Sequence, residues 1–495
     1  MSFYILGKIL MNKVSEDNQH LVSRRRFLHT SGLGFGGIAL AHLMHNELFA
    51  ETKPSLNLLP RKPHFKPRAR AVIQLMQNGG PSQMDLFDPK PELQKRSGQS
   101  HTEKVETFQP GSEGNVLLGS PFKFAPRGQS GIELSDVIPH TASIVDDICL
   151  VRSMYTEHNN HTEALVMLQT CKIFPGRPSM GAWISYGLGT ENQNLPSYVV
   201  LRDPAGYGTS AAELWENGWL PSLYRGTEFS SKGSPVLDLN PALPIDKKSR
   251  YDQLNFLEKI NKEHSQSYPH NKELETRIQN YELAARMQLA AGEILDNSKE
   301  SQATKELYGL DIPETAGYGM RLLLARRLVE AGVRYVQVFP PTRTSSQPWD
   351  SHRHTKDEIE AIAARTDLPG AGLINDLKGR GLLDSVIVMW CGEFGRLPVS
   401  QGGMGRDHNR NAFSLWLAGG GFKKGFVYGA TDEFGYRATD NRVSVPDLQA
   451  TILHQMGIDH KKLVYLHHGR DETPTDYPVT GAKVINEILD RKSYG

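Results

Sequence analysis

Short apolar runs recur along the chain, each closed by glycine, proline or a polar cluster, and they alternate with stretches of helical period. Residues 71–77, 148–153, 198–201, 333–339, 385–390 and 413–418 are such runs. Their length and their content of Val, Ile and Leu predict buried strands. Between and after them, residues 320–330, 357–380 and 447–456 carry amphipathic patterns, and Gly332 and Gly457 stand just beyond two of these segments. Gly in that position ends helices. Strands alternating with helices predict an α/β fold with a mostly parallel central sheet covered by helices on both faces. One stretch departs from this rhythm. Residues 247–297 are polar, with Leu254, Leu257 and Ile260 on one stripe and Leu274, Ile278, Tyr281 and Ala285 on another. That spacing predicts a helical hairpin inserted into the domain. Residues 89–130, rich in Gly, Pro, Ser and charge, read as surface loop.

The N-terminal part reads as an address, not as fold. Ser23-Arg24-Arg25-Arg26-Phe27-Leu28 precedes a glycine-rich, weakly apolar run at 32–41, too short to span a bilayer stably. The pattern resembles a twin-arginine export signal. It implies a periplasmic or extracytoplasmic location, with membrane attachment only if the signal stays uncleaved. The expected organisation is thus a signal over 1–50, a Pro- and Arg-rich linker over 51–70, and one domain over 71–495.

Composition narrows the function. With 56 Lys+Arg against 55 Asp+Glu, the chain has no excess of cations to displace phosphate counterions, which argues against nucleic acid as a partner. Three Cys cannot build a disulfide framework, and Cys149 and Cys391 sit inside apolar runs, so buried free thiols are expected. The chain also holds 18 His, several beside carboxylates. Five polar clusters follow predicted strands: Asn78 to Asp85, Glu157 to Thr162, Trp349 to His354, Gly392 to Arg396, and Gly405 to Asn409. In open α/β sheets, ligands bind outside the carboxyl ends of the strands. Imidazoles with carboxylates and no nearby thiol suit divalent zinc, manganese, magnesium or calcium. His352 and His354 lie two apart and cannot face the same way in an extended segment, and His352 is the favoured ligand of the two. Arg396 either holds an oxyanion bidentately or pairs with Glu393.

Taken together, Gln77 to Lys90, Asn160-His161-Thr162, Arg177 to Trp183, Trp349 to His352, Gly392 to Arg396 and Gly405 to Asn409 resemble the bacterial domain-of-unknown-function family numbered 1501. That family is placed in the alkaline phosphatase and sulfatase superfamily. The resemblance implies an alkaline phosphatase-like fold with a metal site at the carboxyl edge of its sheet. It implies metal-ligand roles for Asp85, Asp350, His352, Glu393 and His408, and puts Thr162 in the region of the Ser/Thr nucleophile, with His161 beside it. The departures matter too. His161 precedes Thr162 where phosphatases usually carry Asp, and Phe394 follows Glu393 where a His ligand is expected. Cys171 does not begin the Cys-x-Pro/Ala-x-Arg motif of formylglycine sulfatases.

Two readings follow. The first is an exported, metal-dependent hydrolase of phosphate or sulfate esters, acting on a small-molecule or saccharide ester. In it Thr162 attacks, or else a metal-activated water does, with Thr162 as a supporting hydrogen bonder, and Arg396 or backbone N–H groups near Gly79-Gly80 hold the transferring group. The second is a non-catalytic binding or envelope protein that keeps the fold with a reduced metal site.

Overall fold

The computed structural model describes residues 57–231, 246–268, 271–342 and 346–490. The export signal expected over 1–50 lies outside the described residues. The main strands are β1 (Ala71–Met76), β2 (Ile148–Tyr155), β3 (Tyr198–Leu201), β4 (Thr227–Phe229), β5 (Tyr335–Val338), β6 (Val386–Cys391), β7 (Gly395–Gln401), β8 (Gly405–Asn409), β9 (Phe413–Ala418), β10 (Phe426–Tyr428) and β11 (Val443–Ser444). The main helices are α1 (His161–Thr170), α2 (Met180–Leu188), α3 (Lys247–Ser267), α4 (Lys272–Leu295), α5 (Pro313–Glu330), α6 (Thr355–Gly379) and α7 (Val445–Gln455).

Nine strands form one sheet, in the order β10-β2-β9-β6-β1-β5-β3-β4, with β11 also paired to β2. Strand β1 sits in its middle, parallel to β5 on one side (Val72 opposite Tyr335) and to β6 on the other (Ala71 opposite Val386). All six residues of β1 are buried. Because side chains alternate across a strand, one strand feeds two cores. Ala71, Ile73 and Leu75 join a core with Leu322 and Leu323 of α5 and Ile359 and Leu373 of α6. Val72 and Met76 point the other way, toward Leu165 of α1, Ile184 of α2 and Leu453 of α7. The expected layering, helices over both faces of a large α/β sheet, is what these two cores show.

Strand β9 is the exception to parallel order, running antiparallel to both β2 and β6. The reason is its connection. Between β6 and β9 the chain makes only the hairpin β7–β8, with His408 opposite Arg396, and carries no crossover helix to return it to the starting edge. The chain therefore leaves β6 at the carboxyl edge, folds a two-stranded ribbon there, and re-enters the sheet from that edge. This detour carries most of the polar side chains discussed below.

Three segments differ from expectation. Residues 57–70 are docked: Arg61 N–H donates to Leu188 O, and Arg68 N–H and Ala69 N–H both donate to Gln455 O. Within 89–130, Leu93, Val105 and Leu117 are buried with Leu397 and Val399 of β7 in a small separate core. Helix α5 starts at Pro313, ahead of the expected 320, since Pro at the first helical position favours the start. The stretch 247–297 forms α3 and α4. Among the described residues, no helix is long and apolar enough to cross a membrane. All three cysteines are buried free thiols.

Candidate metal centre

At the carboxyl edge of β1, β5 and β6, four side chains from distant parts of the chain converge: His161, Asp350, His352 and His408. One candidate ligand atom from each lies within 4.8 Å of every other. Among the described residues this is the one group of three or more His, Cys, Asp or Glu so arranged. His161 opens α1, just past the end of β2; Asp350 and His352 lie on the loop after β5; His408 is on β8.

What each imidazole does with its second nitrogen fixes the chemistry. His161 Nδ1 is 2.7 Å from Glu393 Oε1. His408 Nδ1 is 2.7 Å from the Asn159 carbonyl oxygen, an acceptor only, so Nδ1 carries the proton. His352 Nδ1 is 2.5 Å from Gln401 Oε1, and Gln401 is oriented by its own amide N–H, which donates to Pro110 O at 2.9 Å. In all three rings the proton sits on Nδ1, so three Nε2 lone pairs point inward. Two of them, on His352 and His408, stand 2.9 Å apart. The third, on His161, is buried with no hydrogen-bond partner, and Asp350 Oδ2 is 3.4 Å from it. Asp350 Oδ1 is 2.8 Å from His352 Nε2 and 3.3 Å from His408 Nε2. Convergent lone pairs beside a carboxylate repel one another unless a proton or a cation lies among them. The donor set therefore fits a divalent metal ion, with each histidine held by an outer partner as metal-ligating histidines are.

The electrostatics agree with that geometry. Burial works to raise the Asp350 carboxyl, but the Arg396 guanidinium and the three imidazoles around it outweigh that and hold the group far below the usual carboxylate range. Burial lowers His408 to about 3 against the pull of Asp350, aided by Arg396 and His161. For His161, burial also lowers, yet Asp350 and Glu393 more than offset it, and its value is raised. Phe394, fully buried, packs under His161 and His408 with ring centroids 4.9 and 4.6 Å away. Phe108 covers the other side of His408, stacked at 5.3 Å, and is 41% exposed. Its loop is pinned by Asp407 Oδ2, which accepts from Phe108 N–H and Gln109 N–H.

Close backbone packing sets the frame. At Gly79 (φ +113°) a Cβ would lie 2.5 Å from Asp350 N, and at Gly405 it would lie 1.6 Å from His352 O. Only glycine lets these segments pass so near the donors.

Several expected roles change. Asp85 is not among the donors: both its oxygens face Arg406, at 2.7 and 3.2 Å, and Ser82 Oγ donates to it at 2.5 Å. Both partners of that ion pair are fully buried, so Asp85 is committed to holding β8. Glu393 is likewise not in the converging group. It accepts from His161 and, at 2.9 Å, from Gly79 N–H, and so orients a ligand. Arg396 pairs with Asp350 and not with Glu393. It donates to Gly80 O, Arg406 O, Gly79 O, Trp349 O and Asp350 Oδ1. Nε and Nη1 give one carbonyl contact each and the two Nη2 N–H groups are shared among Gly79 O, Trp349 O and Asp350 Oδ1, so these contacts leave one Nη1 N–H, which is too little for a bidentate grip on an oxyanion. His161, expected beside a nucleophile, is itself a donor. Thr162 is exposed. Successive helical residues diverge by about 100°, so burying His161 at the start of α1 turns Thr162 outward. His352 enters the group and His354 is exposed.

Residues 69–489 match the family described as "Protein of unknown function (DUF1501)". The chain belongs to that family. No curated protein matches the chain. Solved structures similar to it include a protein in the alkaline phosphatase superfamily from Vibrio parahaemolyticus, with 9% identity, TM-score 0.37, and coverage of 89% of this chain and 75% of that one. A phosphonate monoester hydrolase from Silicibacter pomeroyi is 11% identical, with TM-score 0.32 and coverage of 72% and 73%. A sulfatase from a Pseudoalteromonas species is 12% identical, with TM-score 0.34 and coverage of 80% and 68%. What this DUF1501 chain does is argued below from its donors and not from these likenesses.

Proposed function

We propose that this protein is a metal-dependent hydrolase of phosphate or sulfate esters, exported by the twin-arginine route signalled by Ser23 to Leu28. The observation that carries the reading is the convergence of three Nε2 lone pairs on one carboxylate, each imidazole fixed through Nδ1. His161, His352, His408 and Asp350 would hold one divalent ion. Three nitrogen donors favour zinc over manganese, magnesium and calcium, which prefer oxygen. Such an ion would supply Lewis acidity to an ester oxygen and lower the pKa of water beside it.

The protein's own side chains do the rest. Glu393, Gln401 and Asn159 O hold the Nδ1 protons, keeping the inner nitrogens unprotonated. Arg396 fixes Asp350 and the Gly79–Gly80 turn. Phe394 keeps water from beneath the imidazoles. Since Thr162 faces solvent and Arg396 is held by Asp350 and four backbone carbonyls, water is the nucleophile in this reading, and a small-molecule or saccharide ester is the substrate.

Those same two observations favour, as a second reading, a metal-binding protein without turnover. Metal analysis of protein folded in vivo, combined with a panel of phosphate, phosphonate and sulfate esters, separates them. Near-stoichiometric metal and ester hydrolysis, both lost in Asp350→Ala and His408→Ala, is the expected result. Metal without hydrolysis supports the second reading, and metal-free, inert protein refutes both.

A further inference from the structure

Among the described residues, four arginines are almost wholly buried: Arg321, Arg326, Arg396 and Arg406. Three are densely paired. Arg326 contacts Glu300, Glu330 and Asp376, Arg406 holds Asp85 with two nitrogens, and Arg396 is engaged as described. Arg321, on α5, is the exception. Its one ionic contact is Nη1 to Asp203 Oδ1, at 3.6 Å. Its Nε and Nη2 are buried with no hydrogen-bond partner. Those two N–H groups form the flat edge with which a guanidinium grips two oxygens at once. A buried charge left with that edge empty is costly unless something fills it.

The neighbourhood is rich in donors and lies at the sheet's carboxyl edge. Asp203, just beyond β3, is partly spent on backbone, accepting from Ala205 N–H at 3.0 Å and Thr342 N–H at 2.7 Å. The Thr342 hydroxyl is buried and unpartnered, as are both side-chain atoms of Asn78. One short loop links these groups: a Cβ at Gly206 would meet Thr342 Oγ1 at 3.8 Å, and one at Gly208 would meet Asn78 Nδ2 at 2.9 Å. Gly206, Gly208 and Thr342 are only partly buried, so the groups lie directly under a surface loop. The metal centre is adjacent along the chain. Asn78 precedes Gly79, whose N–H holds Glu393, and Asn78 O accepts from Trp349 N–H, one residue before Asp350.

We propose that Arg321, with Thr342 and Asn78, forms a second anion subsite that takes a planar pair of oxygens, as in a carboxylate or a sulfate. Resting on the hydrolase reading, it selects esters that carry an additional anionic group beyond the one being cleaved. The binding itself requires no turnover and is tested alone. Inorganic sulfate and acetate are titrated calorimetrically into the wild-type protein, Arg321→Met and His352→Ala, and crystals are soaked in selenate.

The expected result is saturable binding of one of the two anions, weakened at least tenfold by Arg321→Met and retained in His352→Ala. Whichever anion binds identifies the group. In the soaked crystal, the selenium signal lies against Arg321 Nε and Nη2. Should Arg321→Met not fold, Asn78→Asp sets a like charge beside the subsite and is expected to abolish the same binding. Absence of saturable binding in the wild type, binding unchanged in Arg321→Met and Asn78→Asp, or binding lost in His352→Ala overturns the proposal. Ester hydrolysis and metal content, measured separately, report on the hydrolase reading whichever way the anion titration falls.

Discussion

Glu393→Gln tests whether the outer partners of the imidazoles set metal affinity. Glu393 Oε1 accepts two hydrogen bonds, from His161 Nδ1 at 2.7 Å and Gly79 N–H at 2.9 Å, in a fully buried position. Glutamine keeps the size and the acceptor. Its amide oxygen must still face both donors, because the reverse orientation would set N–H against N–H. What the substitution removes is the charge, and with it part of the basicity that the carboxylate lends His161 Nε2. Outer-partner losses cost about 10- to 100-fold in metal affinity. Glu393→Gln belongs near the lower end, about 1.4 kcal/mol for a tenfold change. Glu393→Ala, losing both bonds, belongs near the upper end. A chromophoric chelator in competition for zinc reads both values. The control is His352→Ala, which removes an inner ligand. Zinc affinity in Glu393→Gln equal to wild type refutes the assigned role. A loss as complete as in His352→Ala would make Glu393 a ligand in its own right.

Other outcomes follow from particular contacts. Burial pushes the Cys149 and Cys391 thiols up to about 12, so neither is expected to react with a disulfide reagent at pH 8 until denaturant is added. Their raised values favour the folded state fully below the unfolded thiol value near 9, and a pH series of urea melts is expected to show that contribution fading from there to about 12. Breaking the Asp85–Arg406 pair with Asp85→Asn leaves a buried guanidinium short of its counter-ion, and urea unfolding is expected to show about 3–5 kcal/mol lost. Thr162→Val is expected to leave kcat within about twofold, since a side chain facing solvent supplies no group to the reaction centre; a loss of order 10² or more, the scale of a reacting group, refutes that placement. Gly405→Ala forces a methyl into His352 O and is expected to abolish metal retention, read by elemental analysis.

The two-sided sheet was legible because β1, β5 and β6 are short apolar runs, interrupted only by Gln74 and Gln337, and such runs belong in parallel strands covered twice. Direction was less so. Nothing in Phe413 to Ala418 distinguishes a parallel from an antiparallel strand; only the short β7–β8 connection does. At the candidate metal centre, extended-chain geometry says only that His352 and His354 cannot both face inward; the preference for His352 rests on the family motif Trp349 to His352. Thr162 stands in the expected region but faces outward, because its neighbour His161 is the inward residue at the start of α1. Asp85 had the right place after the first strand, but its partner Arg406 is remote in sequence, and no local pattern signals such a pair. Phe108 left no signal at all: it is one aromatic residue in a loop whose composition reads as surface.

The position of β1 bears on how the protein is made. This strand is the first of the sheet to leave the ribosome, yet it ends in the middle, flanked by residues 335–338 and 386–391. Neither neighbour exists until most of the chain has been synthesised. For that whole interval an apolar segment, Ala71 to Met76, has no strand to pair with and two faces to hide. Domains dominated by such distant pairings fold slowly and expose sticky surface while they wait. His161 and His408, 247 residues apart, meet beside that same strand, so the donor group too rests on distant pairings. Shielding that first strand during synthesis is where the yield of such a chain is expected to be won or lost.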